Sequence, residues 1–209
     1  MAERRFRARD TIFAPGDPDE QLYFLLDGSV RLYKIYAQYK EATVALLKDG
    51  GVFGELTLQQ RSHQNTFAQA LTDVRLLRVK KSALEEAIRR HPEFATKLIS
   101  SFSERLRHSE EVIESLLNRE VAARLVTLLV NLGERFGEAE GSGTVVLKVR
   151  LTHQELANMI VSTREAVSKV MSEFQRAGLI EVRNRRIALL PQLTKIRLGD
   201  PSWSPGAAA

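Results

Sequence analysis

Residues Leu151–Gly178, LTHQELANMIVSTREAVSKVMSEFQRAG, read as two short helices joined by a tight turn. Thr152 with Glu155 and Ser162 with Glu165 each show the S/T-x-x-E spacing in which a hydroxyl and a carboxylate satisfy the orphan N–H groups of a helix start. Two such boxes predict two helices. In the second, Val167, Val170, Met171 and Phe174 recur at i, i+3, i+4 and i+7 and predict an inward stripe, whereas Arg164, Glu165, Ser168 and Lys169 share another face. Gly178 suits the helix exit. An exposed Arg-Glu-x-x-Ser-Lys face near a helix N-terminus suits the recognition helix of a helix-turn-helix, whose first turns reach base edges in the major groove. The same face would also serve as the solvated side of an ordinary amphipathic helix.

Downstream, LIEVRNRRIALL (Leu179–Leu190) predicts two short strands joined by the basic turn Arg183-Asn184-Arg185-Arg186, the form of a wing. The residues TxQELAxxIxxxREAVSKVxxxxxxxGLI, starting at Thr152, resemble the DNA-binding half of the cAMP receptor protein/FNR (CRP/FNR) family of bacterial transcription regulators. That resemblance implies that Arg164, Glu165 and Lys169 take the base-reading places and that His153, with Ser168, meets the DNA backbone. Chemically, Arg164 and Lys169 can donate to guanine O6 and N7, and Glu165 can accept from cytosine N4. The Arg-Glu-x-x-x-Lys spacing resembles family members that read TGTGA. It implies a related half-site, repeated as an inverted pair about one helical turn, roughly 34 Å, apart. Arg185 and Arg186 in the wing are expected on phosphate. One departure is Val161, where the family's turn usually carries Gly; a β-branched residue at positive φ is strained, so a reshaped turn is expected.

The 209 residues have room for two domains, and 44% apolar with 27% charged residues is ordinary for a soluble globular chain. No apolar run is long enough to span a bilayer and no signal sequence opens the chain, so the cytoplasm is expected, without membrane attachment. The absence of Cys excludes disulfides, thiolate metal sites and an iron–sulfur sensor. A formal net charge of +5 suits a polyanionic partner. Catalysis is not expected: His63, His91, His108 and His153 are scattered, and no H-E-x-x-H, G-x-S-x-G or Walker pattern accompanies them. The same scatter argues against a haem or another metal.

From Phe6 to Val79, short β-type runs alternate with the turn signals APGDPDE, Asp27-Gly28 and Lys48-Asp49-Gly50-Gly51; Asp27-Gly28 between apolar runs predicts a hairpin. Strands at this spacing suggest a sandwich or a jelly roll. TIFAPGDPDEQLYFLLDGSVRLYK and VALLKDGGVFGELTL resemble the family's cyclic-nucleotide-binding β-roll, in wording nearest its nitrogen regulators. With the C-terminal match, the likeness runs over about residues 6–190. Family members that bind cyclic AMP engage the ribose through a Gly-Glu pair, here Gly54-Glu55, and grip the phosphate with an Arg. Gln64 and Asn65 stand where that Arg and its Ser or Thr neighbour are expected, and Gln lacks the charged fork that suits phosphate. The same gap counts against 2-oxoglutarate. No cofactor is therefore required, and cyclic AMP is disfavoured. The alternative is a rebuilt pocket for a cyclic nucleotide or another anionic metabolite, using Gly54, Glu55, Arg61, Gln64, Asn65 and Ser109.

After a short helix in SALEEAIRRH, Pro92 opens a long helical segment in which Ile99, Phe102, Leu106, Ser109, Ile113 and Leu116 alternate in steps of three and four. That is the seam of a two-stranded coiled coil, and it predicts a homodimer. Packing of this stripe on the chain's own roll is the alternative, and the neighbouring line Leu98, Arg105 and Val112 is placed to do so. Ser109 matches a family position that touches nucleotide, but Glu110 beside it would repel an anion. Asn118–Glu120 are expected to form a hinge, EVAARLVTLLVNLGERFG an apolar helix, and GEAEGSGT a loop.

The reading is an α+β chain: a cyclic-nucleotide-binding-like β-roll (residues 1–91), a dimerisation helix (92–118), a winged helix-turn-helix domain (119–195) and a disordered tail (196–209). The expected partners are promoter DNA, a second copy of the chain and, by resemblance, RNA polymerase.

Overall fold

The computed structural model describes residues 2–17, 21–36, 40–54, 66–116 and 120–194. It divides into two compact units, Met1–Glu110 and Glu111–Ala209. Among the described residues of the first, eight strands form two antiparallel sheets: β1 (Ala2–Phe6), β8 (Val74–Lys80), β3 (Gln21–Asp27) and β6 (Val52–Phe53) in that order, and β2 (Thr11–Phe13), β7 (Phe67–Ala70), β4 (Val30–Ile35) and β5 (Glu41–Leu47). Between them lie Phe13, Leu25, Val30, Leu32, Phe53 and Leu76. The Tyr23 and Phe53 rings stack at 5.3 Å between centroids. A second apolar cluster joins Leu22, Val52 and Val79 to Leu84 of α1 (Lys81–Arg90) and Leu98 of α2 (Glu93–Leu116).

The expected hairpin at Asp27-Gly28 is a sheet-to-sheet corner instead, because β3 pairs with β6 and β8 while β4 pairs with β5 and β7. Gly28 has φ +95°, and a Cβ there would come within 2.3 Å of the Asp73 carbonyl oxygen. Its N–H donates to Asp49 Oδ1 at 3.0 Å, tying this corner to the Lys48–Gly51 turn, where the chain again changes sheets. The dipeptide signals positive φ, and long-range pairing decides which strand follows. The roll also begins before Phe6: β1, with its run of charges, lies along β8 from Ala2↔Arg78 to Phe6↔Val74.

Among the described residues of the roll, one charged side chain is buried. Arg31 is 3% exposed, pairs with Glu41 and lies with its guanidinium carbon 4.1 Å from the centroid of Tyr33. Its Nε has no hydrogen-bond partner among the described residues. Burial, and then the Glu41 carboxylate, raise the Tyr33 hydroxyl above the ordinary tyrosine value, against the opposing effect of Arg31.

Along α2, Leu98 faces the second cluster, whereas Ile99, Phe102, Leu106 and Ile113 are exposed. The side chain of Leu116, Asn118 and Arg119 of the expected hinge, and the expected tail at 196–209 lie outside the described residues, whereas Glu120 is the extended N-cap of the next helix.

The second unit contains α3 (Val121–Phe136), β9 (Gly137–Glu140), a 3-10 turn (Gly141–Gly143), β10 (Thr144–Leu147), α4 (His153–Met159), α5 (Arg164–Arg176), β11 (Ile180–Arg183), β12 (Arg186–Leu189) and α6 (Pro191–Thr194). The strands form one antiparallel sheet ordered β11-β12-β10-β9. Part of the expected GEAEGSGT loop is thus a strand, β9, in register with β10 from Gly137↔Leu147 to Glu140↔Thr144. Glu138, Ala139 and Glu140 are exposed, so this edge strand leaves no alternation to read. No helix among the described residues is long and apolar enough to cross a membrane.

Candidate nucleic-acid interface

The α4–turn–α5 segment is built from both of its ends. At the start of α4 the expected box forms: the Glu155 N–H donates to Thr152 Oγ1 at 3.2 Å, and the Thr152 N–H donates to Glu155 Oε2 at 2.6 Å. The helix exit uses a left-handed residue. Val161 has φ +50°, and the Ser162 N–H reaches back to the Ala157 carbonyl at 2.9 Å, the long bond of a Schellman turn. The turn therefore keeps the conformation that glycine favours although valine occupies it, and the expected reshaping does not occur.

That exit corrects the second capping box. Ser162 belongs to the turn, and Thr163 caps α5 by accepting from the Ala166 N–H at 3.2 Å. Glu165 is left with its carboxylate free of the cap. Val167, Val170, Met171 and Phe174 are all buried, so the inward stripe is as the spacing predicts. Their burial fixes which face of α5 looks outward. Arg164, Glu165 and Lys169 are exposed there, and none forms a hydrogen bond or ion pair with the described residues. The simple pairing of Arg164 with Glu165 is absent.

His153 and Ser168, both expected on the DNA backbone, are joined to each other: His153 Nδ1 lies 2.8 Å from Ser168 Oγ. This contact ties the first turn of α4 to the second turn of α5. Arg124 of α3 is a further participant, donating from Nη1 to the Ile160 carbonyl at 2.9 Å. Nothing in the sequence singles it out, since an Arg one turn into an apolar helix reads as a solvated residue.

The wing is a two-residue hairpin. β11 and β12 pair from Ile180↔Leu189 to Arg183↔Arg186. Asn184 and Arg185 have φ of +51° and +61°, as a type I′ turn requires at both central positions. Asn tolerates this conformation, whereas Arg at the second position is strained. Arg183 is held by Glu140 at 3.3 Å and Glu181 at 2.6 Å, while Arg185 and Arg186 are exposed. The residues expected to read bases, to meet the DNA backbone and to form the wing thus all belong to the same compact unit.

The expected effector residues are described only in part. Gly54 has φ +98°, and a Cβ there would stand 2.5 Å from the Gln21 carbonyl oxygen. Ser109 Oγ donates to the Arg105 carbonyl at 3.0 Å, and Glu110 is exposed. Glu55, Arg61, Gln64 and Asn65 lie outside the described residues.

Comparison with known proteins matches residues 3–91 to the cyclic nucleotide-binding domain and residues 123–196 to the Crp-like helix-turn-helix domain. The global nitrogen regulator of Synechocystis sp. is 36% identical over 186 residues, covering 88% of this chain and 82% of that one. The chain belongs to the CRP/FNR family. Like these relatives, it is a DNA-binding transcription regulator and not an enzyme. A CRP-like cAMP-activated global transcriptional regulator of Mycobacterium tuberculosis is 27% identical over 86% of this chain and 80% of its own length. A solved CRP/FNR-family regulator from Thermus thermophilus superposes with a TM-score of 0.75 at 32% identity, covering 94% of this chain and all of that one.

Proposed function

We propose that this CRP/FNR regulator works as a homodimer joined through α2, and that it places two α5 helices in successive major grooves of a pseudo-palindromic promoter site. The observation that carries the reading is the outward face of α5, where Arg164, Glu165 and Lys169 stand exposed, without a partner among the described residues, on a helix whose other side is buried. Groups of this kind keep their donors and acceptors for base edges. The preferred half-site is TGTGA-like. His153 and Ser168 lie beside the DNA backbone, and Arg185 and Arg186 meet phosphate. The division of labour is a sensor-like roll over 1–91, a dimerisation helix over 92–118, a reader over 119–195 and a tail over 196–209. As an activator the protein touches RNA polymerase, and its place of work is the cytoplasm with the chromosome.

Binding-site selection on the wild type, Arg164→Ala, Glu165→Ala and Arg185→Ala tests the assignment. Arg164→Ala should cost about 1–3 kcal/mol and relax preference at one base pair, whereas Arg185→Ala should weaken all sequences alike and flatten the salt dependence by about one unit. Unchanged selected sites in both α5 variants would remove these residues as base readers.

Operator binding in this reading needs no cyclic nucleotide. The match of residues 3–91 to the cyclic nucleotide-binding domain favours a second reading, control by a cyclic nucleotide or another anionic metabolite in a rebuilt pocket. Calorimetric titration with cyclic AMP, cyclic GMP and 2-oxoglutarate separates the two.

A further inference from the structure

The turn that aims α5 is held by a residue two helices away. Ile160 closes α4, donating its N–H to the Leu156 carbonyl, and its own carbonyl is among the last four of that helix, which have no partner within it. Ile160 is buried, so water does not serve this group well. Val161 follows at φ +50°, a conformation that glycine adopts freely and a β-branched residue resists. At this point Arg124 arrives from α3 and donates to the Ile160 oxygen at 2.9 Å. Arg124 is half-buried, and its Nε is buried with no hydrogen-bond partner among the described residues. A cation at a helix C-terminus is also favoured by the helix dipole.

We propose that Arg124 is a positioning residue for DNA reading: by clamping the Ile160 carbonyl it holds Val161 in the left-handed conformation and thereby sets the angle between α4 and α5. The His153–Ser168 contact ties the first turn of α4 to the second turn of α5, so the turn and this contact together determine how the α5 face is presented. The inference rests on the reading of α5 as the base-reading helix. It predicts a specific coupling between residues 124 and 161, because a glycine at 161 needs no clamp.

The test compares affinity for the selected operator with affinity for random-sequence DNA, at a temperature where circular dichroism shows each full-length variant folded. Arg124→Met, which keeps the apolar stem, should lower the ratio of the two affinities by about tenfold, the effect of leaving a buried acceptor unpaired. Arg124→Met/Val161→Gly should recover the ratio to within about threefold of Val161→Gly alone. A lower melting temperature with an unchanged ratio would show a merely structural Arg, and a glycine that restores melting but not the ratio would equally overturn the proposal. If Arg124→Met does not fold, Arg124→Lys takes its place; it retains charge but not the planar fork, and the same glycine rescue is required of it. Arg164→Ala serves as the reference. If it too leaves the selected site unchanged, the base-reading assignment fails; if it alone alters the site, only the role of Arg124 fails.

Discussion

Replacing Leu106 and Ile113 together by Asp should turn the protein into monomers. In one protomer Ile99, Leu106 and Ile113 are 65%, 62% and 63% exposed and Phe102 is 39% exposed, so a partner has substantial apolar surface left to cover. Full burial of such a side chain is worth about 1.5–3 kcal/mol. Covering the exposed part therefore returns about 1 kcal/mol per residue, or about 8 kcal/mol over the four positions of both helices. That gross figure is the scale of a dimer with Kd near about 1 µM. The two-fold axis doubles each change. The double substitution removes about half of the apolar gain and brings carboxylates to the seam, where each ion kept from water costs several kcal/mol. Dissociation at about 100 µM follows. Light scattering coupled to size exclusion, with sedimentation equilibrium across about 1–100 µM, reads the state directly. Ser100→Asp, which adds a carboxylate to an exposed position outside the three–four spacing, should leave the dimer intact. A dimeric Leu106→Asp/Ile113→Asp protein would refute the seam.

Thr163→Ala should lower the stability of the DNA-binding unit by about 1 kcal/mol, and Ser162→Ala by clearly less; equal losses in thermal unfolding would restore Ser162 as the cap. Glu41→Ala leaves the buried Arg31 uncompensated and should cost about 2–4 kcal/mol by urea unfolding, while Arg31→Met/Glu41→Ala should return most of it; a double variant as unstable as the single one would show that the pair's charge is not the cause. Cyclic AMP should change operator affinity by less than about tenfold, about 1.4 kcal/mol of coupling, in a fluorescence titration, and a larger stimulation would favour the rebuilt pocket.

Much of the reader was legible because its signals are local. The Thr152–Glu155 box, the Val167–Phe174 stripe and the Arg183–Arg186 turn each involve residues within two helical turns or one hairpin, where periodicity and turn chemistry act directly. The Ser162–Glu165 spacing misled for an instructive reason. Two hydroxyls stand side by side, and the choice of Thr163 follows from how α4 ends, since the Schellman bond takes the Ser162 N–H. The apolar line along α2 was readable as a pattern, and Ile99, Phe102, Leu106 and Ile113 on it are exposed.

Period and turn residues by themselves determined short strands, a long helix with an apolar line, and two short helices followed by a basic hairpin, and the resemblance carried by those residues implied the β-roll and the winged helix-turn-helix. Only the tertiary structure decided that Asp27-Gly28 turns between sheets, that Gly137–Glu140 is an edge strand, that Arg31 is buried on Glu41 and Tyr33, and that Arg124 caps a helix distant in sequence. Each of these depends on a partner on another element or on a backbone with no side-chain pattern. A local window registers a residue's preference for a conformation, but hydrogen-bond partners and burial are properties of the assembled chain.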